Sequence, residues 1–232
     1  MTKTEFLSVG LTRREKLWGL GYLLFQIFLL PTLLNMAGLL LPIALDSTRM
    51  NLLYMSVNLL AIVLIFPRYL LGFFPISGKQ LLKILVTCAA GFVLYCVLSL
   101  SLGHLLGLLQ PEFTNQNDQS IIEMAEANYG LMLIGTVILA PITEEVFFRG
   151  LLLRGLYDRS PILAWIVSVS VFSSIHLLGY IHTLSPVALL ISFLQYLPAG
   201  LCLAASYRLS GTIICPILIH AAINAVGMIV VG

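Results

Sequence analysis

Two adjacent glutamates, Glu144 and Glu145, and an arginine, Arg149, stand in the apolar stretch "APITEEVFFRGLL" of a 232-residue chain. A charged side chain at the centre of a bilayer costs several kcal/mol on insertion scales of about 2.5–3.5, so each of these groups needs a partner or a task. In an α-helix each residue advances about 100°, and positions four apart share a face. Glu145 and Arg149 are so spaced and can form an ion pair, whereas Glu144 turns away and has no basic residue at that spacing. The two carboxylates therefore divide, Glu145 with Arg149 as a structural pair and Glu144 facing something else. Further along, "FSSIH" ends in His176, and "HAAIN" sets His220 and Asn224 four apart on one helical face. A carboxylate beside an imidazole can hold a water and take its proton. A second imidazole and an amide can donate hydrogen bonds to a developing oxyanion. This is a set for hydrolysis that uses no Ser or Cys nucleophile. Ser173 and Ser174, just before His176, read as small helix-packing residues. His104 and His182 fall near span ends and read as interfacial, and Phe147, Phe148 and Phe172 read as packing or lipid contacts.

The elements that must position these groups are membrane spans. Hydrophobic residues make up 59% of the chain and charged residues only 9%, against about 25% charged in a soluble domain. The fold class expected is all-α, a polytopic transmembrane helical bundle. Seven apolar segments can be drawn, at about 17–44, 51–73, 81–109, 129–157, 161–179, 186–207 and 211–231. Pro31 and Pro141 fall inside spans, and Pro141 would free the carbonyl of Val137. The first apolar run is longer than the 7–15 residues of a signal-peptide core and is read as a retained span. A net charge of +2 gives no reason to expect a nucleic-acid partner. Cys88, Cys96, Cys202 and Cys215 lie in apolar runs with no CxxC spacing and read as small core residues. Two parts follow, 1–128 as spans without motifs and 129–232 as the catalytic core.

Basic residues set the orientation. The N-terminal tail carries Lys3, Arg13, Arg14 and Lys16, the loop between the second and third spans offers Arg68, Lys79 and Lys83, and later turns carry Arg154, Arg159 and Arg208. The alternate connections hold only Arg49, and the 110–128 loop has Glu112, Asp118, Glu123 and Glu126 with no Lys or Arg. By the positive-inside rule the N-terminus is cytoplasmic. Counted from the inner helix ends at about 1.5 Å per residue, Glu144, His176, His220 and Asn224 come to roughly 20, 22, 15 and 21 Å. All four are thus expected in one buried layer, reached by water through a cavity between the spans that carry them.

The three patterns together, EExxxR (Glu144, Glu145, Arg149), FxxxH (Phe172, His176) and HxxxN (His220, Asn224), resemble the motifs of the CPBP family, the CAAX proteases and bacteriocin-processing enzymes called Abi proteins in bacteria. The resemblance covers roughly residues 129–231. It implies intramembrane peptide hydrolysis, with Glu144 and His176 activating water, His220 and Asn224 lining the oxyanion site, and Glu145 and Arg149 organising it. It also implies access from the cytoplasm. The family has been described both as metal-free and as zinc-dependent. The expectation is no cofactor, with Glu144, His176 and His220 the ligands if zinc is present. The expected partners are the lipid bilayer and a membrane-associated peptide or protein, in a bacterial plasma membrane, with a role in bacteriocin or pheromone processing or in self-immunity. Two other classes remain at this level, a non-catalytic bacteriocin-immunity or sensor-kinase-binding membrane protein and a small proton-coupled transporter. The latter lacks any visible inverted repeat. The oligomeric state is not legible.

Overall fold

A computed structural model describes residues 8–40 and 45–231. Lys3 and residues 41–44, the end of the first expected span, lie outside the described residues. Within them the chain is helical, with no strand. The helices are α1 (Arg13–Phe28), α2 (Leu30–Leu40), α3 (Ser47–Ile65), α4 (Pro67–Leu71), α5 (Gly78–Leu109), α6 (Gln116–Ala127), α7 (Tyr129–Tyr157), α8 (Pro161–Ile175), α9 (Pro186–Ser210) and α10 (Ile214–Val231).

Local chemistry explains where these helices start and stop. Thr12 caps α1 in a reciprocal box with Glu15, whose Oε2 accepts the Thr12 N–H at 2.7 Å. Pro31 cannot donate to the preceding turn, and α1 and α2 meet there at a 53° bend. Pro67 ends α3 early, so the expected span 51–73 becomes α3 and the short α4. The acidic 110–128 segment, expected as a loop, contains α6, started by the Asn115 side chain on the Asn117 N–H.

The multi-pass helical bundle is as the hydropathy implies, with a difference in the span count. Among the described residues five helices are long and apolar enough to cross a membrane, and α1 with α2 would make a sixth. The expected span 161–179 is only the 15-residue α8, about 22 Å long against a hydrocarbon core of about 30 Å. The helix stops because the His176 ring nitrogen Nδ1 takes the Phe172 carbonyl at 2.8 Å. In a continuing helix that carbonyl would bind the His176 backbone N–H.

α7 is the central element. Its apolar window is 56% buried within the protein, against 6% for α5, which lies at the periphery. Beyond Glu145, α7 continues into a closed layer of Phe147, Phe148, Leu151 and Leu153, packed with Phe66, Tyr69, Phe172 and Tyr207. The hydroxyls of Tyr69 and Tyr207 share a hydrogen bond of 2.7 Å. Lys16 Nζ donates to the Gly155 carbonyl and Arg154 Nε to that of Val9, both at 3.1 Å. The N-terminal segment is thereby tied to the end of α7.

Gly150 is where α7 meets the Tyr69 ring. A Cβ at this position would lie 2.8 Å from Tyr69 Cε1, and that ring is fully buried and hydrogen-bonded. Gly150→Ala is expected to cost about 1–3 kcal/mol, as overpacked cores do. The measurement is the unfolding temperature in detergent, which should fall relative to that of Gly21→Ala, where an added methyl has open space.

Candidate active site

α7 does not keep the α-helical register throughout. It widens to π-helical turns at Ile134–Leu139 and again at Val146–Arg154. At the first of these the Ala140 N–H bonds to the Gly135 carbonyl, five residues back. In that register the carbonyl facing Pro141 is that of Thr136, one residue earlier than the Val137 carbonyl expected from α-helical spacing, and proline has no N–H to give it. Asn224 Nδ2 on α10 supplies the bond instead, donating to Thr136 O at 2.7 Å. A backbone defect in one helix thus fixes the side chain of another. Thr143 adds to the same region, its hydroxyl donating to the carbonyls of Leu139 and Ala140 at 3.0 and 2.9 Å.

The two glutamates diverge as their spacing predicts. Glu145 is completely buried, and its Oε1 accepts from Arg149 NH1 at 3.1 Å and faces His220 Nδ1 at 2.8 Å. Arg149 is also completely buried. Its NH2 donates to the Gly200 carbonyl of α9 at 3.1 Å, and its guanidinium carbon lies 4.3 Å from the Phe172 ring centre. One guanidinium therefore ties α7, α8 and α9 together, and Glu145 adds α10 through His220. The sequence pattern placed His220 with Asn224 on one face of α10. The structure adds the bond to Glu145, which orients the ring with Nδ1 on the carboxylate and Nε2 as its other nitrogen.

Glu144 faces the other way. Its Oε2 is buried, accepts no hydrogen bond from the protein, and lies 3.8 Å from His176 Nε2. Because a carbonyl oxygen only accepts, the His176 Nδ1–Phe172 contact puts the proton on Nδ1. A neutral ring then presents Nε2 as an acceptor toward Glu144. His176 is held face-on by Tyr196, the rings stacked at 4.3 Å with an angle of 17°. The Tyr196 hydroxyl donates to Asp118 Oδ1 at 3.1 Å and accepts from Asn117 Nδ2 at 3.0 Å. Asn115 Nδ2 reaches the neighbouring Gln195 at 2.8 Å. The start of α6 thus anchors the platform on which His176 rests.

Glu144, His176, His220 and Asn224 all line one cavity of about 650 Å³, together with Thr136, Tyr196 and Asp118. The structure brings together the four groups that the sequence placed at one depth. Sequence reasoning missed Tyr196, Asp118 and the Gly200 carbonyl. Tyr196 sits in an apolar span without a motif and Asp118 in a segment read as a loop, so neither had a spacing signal. Gly200 acts through its backbone.

Among the described residues no three His, Cys, Asp or Glu side chains are grouped so as to hold a metal ion. Both imidazoles have Nδ1 committed to an oxygen, the orientation a metal-binding histidine would use. Glu144 and His176 approach to 3.8 Å while His220 turns Nδ1 to Glu145, and two donors fall short of the three protein ligands of catalytic zinc. The donor set as arranged does not fit the Glu144, His176 and His220 zinc site.

A bundle of membrane-spanning helices thus surrounds a cavity lined by a carboxylate and two imidazoles. Residues 126–226 match the model of the family described as type II CAAX prenyl endopeptidase Rce1-like. The match agrees with the CPBP resemblance of the three motifs, and the matched segment contains all seven of their residues. No curated protein and no solved structure matches the chain. The match supports a CAAX-protease-like endopeptidase of the membrane.

Removing Arg149 would strand the buried Glu145 carboxylate. Arg149→Ala is expected to destabilise the fold by about 3–5 kcal/mol, the cost of breaking a buried pair, read as loss of monodisperse protein in detergent. Tyr196→Phe keeps the stack and gives up only the α6 anchor, so it should fold with a thermal midpoint close to that of the unaltered chain.

Proposed function

We propose that the protein is an intramembrane endopeptidase that hydrolyses a membrane-associated peptide with a water activated by Glu144 and His176. The observation that carries this reading is the unpartnered, buried Glu144 Oε2 facing His176 Nε2 at 3.8 Å. The two atoms are both acceptors and too far apart for a direct bond. One water between them satisfies both by donating a proton to each.

The chemistry follows from that geometry. The water oxygen attacks the scissile carbonyl carbon while Glu144 takes its proton. When the C–N bond breaks, the same carboxyl returns that proton to the leaving amine. Asn224 commits one amide N–H to Thr136 and offers its second to the oxyanion. His220 can donate from Nε2 in its imidazolium form, whose charge Glu145 faces. Glu145 and Arg149 are positioning residues for this half of the site. The cavity volume of about 650 Å³ lies within the range of about 300–1,000 Å³ that holds small ligands, room for a short stretch of extended peptide. No metal enters any step. The setting we propose is a bacterial plasma membrane, and the substrates are bacteriocin or pheromone precursors or peptides met in self-immunity.

The test is cleavage of internally quenched peptides, with and without a farnesyl group, by purified protein in proteoliposomes. Glu144→Gln should lose at least about 100-fold in kcat, the lower end of what a positioned base contributes, with the thermal midpoint unchanged. Cleavage by Glu144→Gln at the unaltered rate would refute the mechanism. Activity should also survive exhaustive dialysis against EDTA. Its loss, with recovery on adding zinc alone, would instead establish a metalloprotease.

A further inference from the structure

The cavity has a direction. Successive spans alternate between two ends of the bundle. One end receives the α1 start, the connection from α4 to α5, the α7–α8 turn and the α9–α10 turn. The other receives α6, the turn after His176 and the end of α10. The cavity opens among the elements of the second end. It is walled by Asn117, Asp118 and Ser120 of α6, by Tyr180 and by Val231, and it runs inward to Glu144 and His220.

Toward the first end it is closed. The residues that follow Glu145 on α7 are Val146, Phe147 and Phe148, none more than 1% exposed. Below them Leu153, Tyr69 and Tyr207 are completely buried. The Tyr69–Tyr207 hydrogen bond and the edge-on Phe148–Phe172 contact join its rings. Water and peptide have no path through it.

The two ends also differ in charge. The turns of the closed end carry Arg13, Arg14, Lys16, Arg68, Arg159 and Arg208, among other basic residues. At the open end Arg49 is the one Lys or Arg, and it is paired with Asp46 at 3.3 Å. Basic turns stay in the cytoplasm during insertion, so the closed end is the cytoplasmic one.

We propose that the site is loaded from the non-cytoplasmic face, past α6, and that its substrate is a peptide presented on the outer side of the membrane. A cytosolic C-terminus of the prenylated CAAX kind would meet the closed aromatic layer and not the cavity. This inference rests on the hydrolase reading for the word substrate, but the access route stands on geometry and charge alone. It replaces the cytoplasmic access that the family resemblance implied.

The experiment labels cysteines in intact cells with a membrane-impermeant maleimide. Ser120→Cys at the mouth, Ile223→Cys on the cavity wall and Arg159→Cys at the opposite end are each placed in a chain whose four native cysteines are alanine. Ser120→Cys and Ile223→Cys should label in intact cells, Arg159→Cys only after permeabilisation. The reverse pattern overturns the proposal. Should the cysteine-free chain fail to fold, alkaline phosphatase fused after Val231 of the otherwise unaltered chain gives the same answer. An active fusion supports the proposal, and an inactive fusion overturns it. A quenched peptide added outside right-side-out vesicles completes the test. External labelling without cleavage would sink the hydrolase reading and leave the access route standing. Labelling confined to the cytoplasmic side ends the present inference whether or not peptide is cut.

Discussion

A guanidinium completely enclosed by protein inside a membrane must be neutralised where it stands. Arg149 is neutralised by Glu145 and the Gly200 carbonyl, beneath the face of Phe172. An ion in such surroundings is held by attraction that solvent does not screen. The same lack of solvent makes any lost partner expensive. The bundle accordingly closes around this group. α7 supplies both charges, α9 a backbone carbonyl and α8 an aromatic face, and α10 joins through His220 on Glu145. The helices that line the cavity are thus held in register by one buried guanidinium.

A second constraint sets the other half of the site. The π turn at Ile134–Leu139 and the missing N–H of Pro141 leave the Thr136 carbonyl for Asn224. In a helix exposed to lipid such a carbonyl would be a defect, because nothing in hydrocarbon can bind it. Here it lines a cavity and orients an amide. Glu144 and His176 lie on the remaining wall, where Tyr196 and α6 hold the imidazole. The acceptor-to-acceptor gap between Glu144 and His176 is a place prepared for a donor, and water is the donor that hydrolysis requires.

A considerable part of this was legible from residue types and spacing. Apolar segments mark the spans because backbone groups in lipid must pair within their own helix. EExxxR, FxxxH and HxxxN mark the six site residues because charge and imidazole are too costly in spans to be scattered there without use. The division of labour between Glu144 and Glu145 also follows from their angular separation, which the two π turns did not erase. What a one-dimensional pattern misread were departures from ideal helices. α8 ends at His176 because a side chain replaces a backbone donor. The carbonyl freed by Pro141 belongs to Thr136 because the register had already slipped by one residue. Segment 110–128 forms a helix that contributes Asn117 and Asp118, although its polar composition suggested a solvated loop.

The sequence alone determined a membrane-spanning all-α bundle, its charge asymmetry and the chemical types of its site, because each depends on local composition or on a fixed helical period. Only the tertiary structure decided that His220 serves Glu145, that Asn224 is anchored on Thr136, that Tyr196 and α6 support His176, and which end of the cavity is open. The hydrogen bonds that make those relations join residues 75 to 88 positions apart. No periodic pattern reaches that far. They are set by how the helices pack and tilt against one another, and so by shapes that exist only once the bundle has formed.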